Sequence, residues 1–335
     1  MKKIDCKIII HKLNSLHLNQ IIAGFIELEK ENIIKIDKVV LNDSDYDYLE
    51  VIINNNVVAL YDTMDSGQIF VPNLNWNKID YYFKRSYNYE IVKDVSDKIY
   101  PLGLNYDVHS RKKNFQGINY NLRDLIKRII GQGKNKFYLD EFEYRNNSPN
   151  EKICFLTRFW DPDDMEVEDK KAKEERKKIN DFRASCIRAC KDKYGNQFIG
   201  GVPFSEFANK YYKDCIINDN KITKRSNYLM TIKDYDICIA TTGLHNSIGW
   251  KFAEYIAMGK VIISEPLNYI VPGDLKEGDN YITFESVEEL IKCIDSVRLN
   301  SVKRKNIQKN NIEYYNNYLR ADRLIWNTIN IMINE

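Results

Sequence analysis

From residue 236 to residue 265 the chain reads Asp-Ile-Cys-Ile-Ala-Thr-Thr-Gly-Leu-His-Asn-Ser-Ile-Gly-Trp-Lys-Phe-Ala-Glu-Tyr-Ile-Ala-Met-Gly-Lys-Val-Ile-Ile-Ser-Glu. An apolar run gives way to Thr241, Thr242, Gly243, His245, Asn246 and Ser247, small or polar residues that let backbone amides approach a ligand. Ile248, Phe252 and Ile256 then fall at i, i+4 and i+8, the spacing of a buried helical stripe, while Lys251 and Glu254 are three apart on another shared face. Asn246 or Ser247 can cap the helix start, Gly259 ends the helix in the left-handed region, and Val261 opens a strand. Free amides and the positive helix end together make an anion site suited to a diphosphate. Arg158 carries a planar fork that matches phosphate oxygens. Asp62 and Asp65, in the run Tyr-Asp-Thr-Met-Asp-Ser-Gly after a β-rich segment, have the chemistry of a general base, although Asp after a strand is also a common turn former. His11 and His17 are rivals for that role, and Lys84 with Arg85 could neutralise a phosphate.

Alternating elements must position these groups. In the first half, β-rich runs at 6–10, 33–41, 48–53, 57–61, 80–84 and 98–103 surround a helical pattern at 19–30, which predicts an α/β sheet with some antiparallel character. Residues 105–150 are polar and punctuated by Gly131-Gln132-Gly133 and Asn146-Asn147-Ser148-Pro149-Asn150, with a helix expected at 120–130. A strand at 152–157 opens the second half. A charged helix at 167–194 follows, its charge run read as a solvated face. Strands at 197–200, 237–240, 261–264 and 281–284 then alternate with helices at 203–212, 226–232, 248–258 and 287–297, the pattern of a doubly wound parallel sheet that binds ligands beyond its carboxyl ends. Residues 303–334 read as long, mostly polar helices. The expected division is 1–110 as an N-terminal domain, 111–150 as a connection, 151–318 as a C-terminal domain, and 319–335 as a last helix able to pack back on the N-terminal domain.

The 335 residues suit two α/β domains better than one core. With 50 Lys and Arg against 48 Asp and Glu, no overall field favours nucleic acid as a partner. Asp5 and Lys7 interrupt the first apolar run, and no stretch has the length of a membrane span, so a cytoplasmic protein is expected. The seven cysteines are scattered without a C-x-x-C pair, which fits a reducing compartment and neither a disulfide framework nor a zinc site. Gly131-Gln132-Gly133 lacks the strand and third glycine of a nucleotide fingerprint. Asp161-Pro162-Asp163-Asp164 lacks calcium-loop spacing, and no Asp-x-Asp stands between β-rich runs in the second half. No metal and no cofactor is expected.

The small-polar loop followed by Lys-Phe-Ala-Glu-Tyr-Ile-Ala-Met-Gly-Lys-Val-Ile-Ile-Ser resembles the C-terminal donor-binding motif of GT-B-fold glycosyltransferases, in particular the group 1, family 4-like class of bacterial surface-polysaccharide enzymes. The likeness is strongest over 226–290, extends over 151–300, and concerns only the general layout before that. It implies two Rossmann-like domains with a donor and acceptor cleft between them. It also implies a metal-independent transfer of a sugar from a nucleotide sugar, UDP-linked by preference, to a glycan or lipid-linked glycan. Glu254 takes the place of the family's ribose-holding glutamate, because a carboxylate accepts both hydroxyls at once. Arg158 resembles the family's diphosphate-binding basic residue. The companion lysine is missing, and Lys251 is the substitute candidate. The remaining donor contacts fall on Thr242, Gly243, Asn246, Ser247 and Ile248, with His245 at the loop apex as a sugar or phosphate contact. The family often has a second glutamate where this chain has Asn246, so the resemblance does not carry over a retaining mechanism. For an inverting enzyme, Asp62 or Asp65 would take the acceptor's proton, with His11, His17, Lys84 and Arg85 on the acceptor side. The resemblance admits contact with the inner face of a membrane and a monomer or homodimer. A sugar-nucleotide 2-epimerase of the same fold and a non-catalytic nucleotide-sugar-binding partner of another transferase are the alternative readings.

Overall fold

A computed structural model describes residues 3–12, 14–42, 44–111, 136–143, 145, 150–164, 169–219 and 221–334. The helix expected at 120–130, the Gly131-Gln132-Gly133 segment and the start of the helix expected at 167 lie outside the described residues. The chain forms two compact units: residues 1–143, 268–274 and 313–335 in unit 1, and residues 144–267 and 275–312 in unit 2.

Unit 1 is built on strands β1 (Ile4–Ile10), β2 (Ile34–Leu41), β3 (Tyr48–Ile53), β4 (Val57–Asp62), β5 (Tyr81–Lys84) and β6 (Ile99–Pro101), paired in the order β2-β1-β3-β4-β5-β6. β3 runs antiparallel to both β1 and β4, and the other pairs are parallel. β1, β2, β4, β5 and β6 therefore all end at the same edge. The reversal at β3 follows from the short connection to β4, where Asn54 and Asn55 take positive φ values of 51° and 59°, a conformation that Asn tolerates better than most residues.

The helix Asn19–Lys30 buries Ile21, Phe25 and Leu28 on the sheet, at i, i+4 and i+7. A Cβ on Gly24 would stand 2.2 Å from the carbonyl oxygen of Ala321, so glycine is what lets the helix Ala321–Asn334 lie this close. That last helix is less polar than its sequence suggests. Leu324, Ile325, Ile329 and Met332 join the unit 1 core, with Asp322 and Thr328 buried among them. Phe142 and Phe137, in the segment expected to connect the domains, are buried in contact with each other, and Phe142 meets Tyr106 edge-on at 5.0 Å. Their apolar surface accounts for this short segment belonging to unit 1.

Unit 2 carries β7 (Ile153–Leu156), β8 (Phe198–Gly201), β9 (Ile237–Ala240), β10 (Val261–Ser264) and β11 (Tyr281–Thr283), all parallel, in the order β11-β10-β9-β7-β8. β7, β9 and β10 are buried throughout, which is why they read as unbroken apolar runs instead of alternating ones. Successive crossovers go to opposite sides of β7, so the strand order reverses between β7 and β9. Ligands in open α/β sheets sit outside the carboxyl ends at such a point. The long helix Lys170–Tyr194 keeps its charged side in solvent and buries Ala184, Ile187, Cys190 and Tyr194 on the sheet side.

Candidate functional site

The loops after β7 and β9 meet at the switch point of unit 2, and one buried side chain ties them together. Arg183, on the helix Lys170–Tyr194, donates from Nε to Thr241 Oγ1 at 2.9 Å, from Nη1 to the Arg158 carbonyl at 2.7 Å, and from Nη2 to the Thr242 carbonyl at 2.8 Å. Burial pushes this guanidinium down to about 10, partly countered by the Glu265 carboxylate. Glu265, directly after β10, accepts from the Thr242 amide at 2.8 Å and from its hydroxyl at 3.1 Å. Arg158 stands exposed at the end of β7, its guanidinium stacked 3.7 Å from the centre of the Trp160 ring. The Asp163 carboxylate pairs with Lys173 at 3.3 Å.

The β9 loop is compact. The Gly243 amide donates to the Ser247 carbonyl at 2.9 Å, and a Cβ on Gly243 would come within 2.6 Å of Ser247 Oγ. His245 and Asn246 are exposed at its apex with φ of 60° and 55°, and the His245 amide donates to Glu175 at 2.7 Å. The helix begins later than the sequence suggests, at Trp250, with Gly249 as N-cap. Neither Asn246 nor Ser247 caps it. Ile248 precedes it, half-buried, in place of opening the buried stripe that Phe252 and Ile256 continue. Its N-cap, Gly249, has no side chain with which to cap the first amides, the groups that an anion can use at a helix start.

Four residues beyond that helix start lies Glu254, which has no exposed surface. One carboxylate oxygen is paired with Arg225 Nη1, from the start of the helix Arg225–Lys233. The other, Oε2, has no hydrogen-bond donor among the described residues. Lys251 lies one turn before Glu254, its ammonium 3.7 Å from the Tyr228 ring centre. Burial pushes that ammonium down to about 8, with Glu254 acting in the opposite direction. The structure thus gathers Arg158, Thr242, Gly243 and Ser247 around the switch point and sets Lys251 and Glu254 side by side on the next helix.

In unit 1 the candidates divide. Asp62 and Lys84 are fully buried, paired at 2.7 Å; Asp62 also accepts from the Tyr82 hydroxyl at 2.7 Å, and Lys84 donates to the Ile69 carbonyl at 2.6 Å. Burial pushes the Asp62 carboxyl up while Lys84 opposes the shift. Asp62, expected as a base, and Lys84, expected as a phosphate contact, thus form an interior pair without exposed atoms. His11 stacks on Tyr48 at 4.1 Å, with its Nδ1 3.3 Å from Asn42. His17, Asp65 and Arg85 do come together at the carboxyl edge. Arg85 pairs with Asp65, and its Nη1 lies 3.4 Å from His17 Nδ1. Burial first, and Arg85 next, push the His17 imidazole down, so it is neutral at pH 7.

Arg183, Arg225 and Glu265 were not candidates from sequence as site residues. Arg183 did leave a signal, since it falls on the apolar stripe with Ala184, Ile187 and Cys190. Arg225 left none, because its partner is 29 residues away. Among the described residues, no group of three or more His, Cys, Asp or Glu could hold a metal ion, and no helix is long and apolar enough to cross a membrane.

No protein-family profile and no curated protein matches the chain. Solved structures do resemble it in fold. The C-terminal domain of a group 1 glycosyl transferase family protein, LpcC from Francisella tularensis, matches at 12% identity and a TM-score of 0.34, covering 52% of this chain and 95% of that one. TarM from S. aureus matches at 12% identity and a TM-score of 0.42, covering 77% of this chain. WaaG, a glycosyltransferase involved in lipopolysaccharide biosynthesis, matches at 10% identity and a TM-score of 0.40, also over 77%. The present chain spans 44% of the length of TarM and 64% of WaaG, less than two thirds of either.

Proposed function

We propose that the chain is a glycosyltransferase whose unit 2 binds a nucleotide sugar, UDP-linked by preference. The observation that carries this reading is Glu254, a fully buried carboxylate with one oxygen on Arg225 and the other without a donor, on a helix whose amide end faces the switch point. A buried acceptor left unmet costs about 1–3 kcal/mol, more when charged, so its persistence suits a site that a ligand's hydroxyls complete. In this reading Glu254 receives the ribose hydroxyls, and Arg158, Lys251 and the first amides of the helix receive the diphosphate. During transfer the acceptor oxygen bonds to the anomeric carbon, the bond from that carbon to the diphosphate breaks, and the acceptor's proton passes to a base. Negative charge grows on the departing diphosphate, where the two cations and the helix end stabilise it. The acceptor in this reading is a glycan or lipid-linked glycan. No metal takes part in this scheme.

Calorimetry with UDP tests the donor half. Glu254→Gln should weaken binding about 30-fold, an effect of about 2 kcal/mol; equal affinity in both proteins would remove the ribose role. A second reading, binding of the nucleotide sugar without transfer, is favoured by the burial of Asp62 and by Asn246 standing where the family often has a carboxylate. Mass detection of a glycosylated product, or of slow donor hydrolysis, decides against it.

A further inference from the structure

Resting on the nucleotide reading of Glu254, we propose that Arg225 is the positioning residue of the ribose site: it fixes the Glu254 carboxylate by one oxygen so that the other points to the sugar's hydroxyl pair. A glutamate side chain has three rotatable bonds, and a buried carboxylate with no partner would turn toward whichever donor it can find. Here the choice is made by a guanidinium from a different element. Arg225 opens the helix Arg225–Lys233, reaches Glu254 Oε1 through Nη1, and is itself only partly buried, with 25% of its side chain exposed. Glu254 has no exposed surface, and Oε2 meets no donor among the described residues. Arg allows a bidentate pair with a carboxylate, but here the contact engages one oxygen only. The single-oxygen contact leaves half of the acceptor capacity unused, on the oxygen that a vicinal diol needs.

The other charged or titratable groups around Glu254 do not supply that second contact. Lys251, on the same helix, directs its ammonium over the Tyr228 ring. Tyr228 and Tyr255, whose hydroxyls burial pushes well up, are neutral neighbours. Arg183 is engaged with the two switch-point loops. Among the described residues, Arg225 alone combines a side-chain contact with the Glu254 carboxylate and an origin on a separate element.

The experiment compares ribose with 2′-deoxyribose ligands, because a structural ion pair has no means of telling them apart. Dissociation constants are measured by calorimetry for UDP and dUDP, GDP and dGDP, and ADP and dADP, on the full chain and on Glu254→Gln, Arg225→Met and Arg225→Lys. The unsubstituted protein should prefer the ribose member of its best pair about tenfold, since hydrogen bonds to a charged acceptor are the discriminating contacts. Arg225→Met should bring the ratio near one while the deoxy ligand keeps its affinity, and Arg225→Lys should restore part of the preference through its single ammonium. Should Arg225→Met fail to fold, the lysine variant carries the test with a ratio reduced at least threefold. Equal losses for both sugars in either Arg225 variant would make the residue merely structural, and tighter binding would make it an obstruction; each overturns the proposal. If Glu254→Gln keeps the ribose preference, or if no nucleotide binds, the failure lies in the nucleotide reading itself.

Discussion

At the carboxyl edge of the unit 1 sheet the buried ions answer one another, whereas at the same edge of unit 2 they are held toward something else. Asp62 meets Lys84, Tyr82 and the Met64 amide, and Lys84 also meets the Ile69 carbonyl. Arg183 in unit 2 donates to residues 158, 241 and 242 of two loops, and Glu254 keeps one oxygen without a donor among the described residues. Burial alone therefore does not mark a functional ion. What sets Glu254 apart from Asp62 is a carboxylate oxygen that no donor among the described residues fills.

Breaking the unit 1 pair is the largest perturbation that should leave nucleotide binding untouched. Asp62→Asn strands the Lys84 ammonium in the interior and should cost about 3–5 kcal/mol of stability, read from urea denaturation, while the UDP affinity of the remaining folded protein stays as it was. Replacing both partners, Asp62→Leu with Lys84→Met, should recover much of the loss. A UDP affinity that falls with either substitution would show that the two edges are not independent. Arg183→Met sharpens the other side of the comparison. It should cost about 3 kcal/mol, since three part-buried acceptors lose a charged donor, and should weaken UDP because the loops that Arg183 joins carry Arg158 and Thr242. A pure stability loss with unchanged affinity would reduce Arg183 to a core staple.

Most of the framework could be read from residue patterns because it depends on local periodicity. The helix Asn19–Lys30 and the strands Tyr48–Ile53, Ile237–Ala240 and Val261–Ser264 coincide with their expected limits. The stop at Gly259 is likewise local, and its φ is 62°. What the pattern missed depends on partners far along the chain. Asp62 looks like a reachable acid until β5 brings Lys84 beside it, and the polar surface of the last helix conceals Leu324, Ile325 and Ile329 until the helix Asn19–Lys30 receives them. The start of the helix Trp250–Ala257 was missed for a local reason: with His245 and Asn246 in left-handed conformations, the loop closes through the Gly243 to Ser247 hydrogen bond and uses residues that a cap would have needed.

The smallest effect concerns Lys251, and its sign follows from where its ammonium titrates. Burial lowers it from an ordinary 10.5 to about 8. Between those values the unfolded chain holds the proton and the folded protein does not, so this residue makes stability rise with pH across that window; below about 8 its burial penalty is present in full. Subtracting the urea midpoints of Lys251→Met from those of the unsubstituted protein, at steps from pH 7 to 10, isolates this slope from the tyrosines and cysteines that titrate nearby. UDP binding should run the other way. A diphosphate prefers the charged ammonium, so affinity should decline a few-fold as pH passes about 8 in the unsubstituted protein and stay level in Lys251→Met. A rising stability difference without any decline in affinity would leave Lys251 as a buried cation over Tyr228 and assign the diphosphate to Arg158 and the helix amides alone.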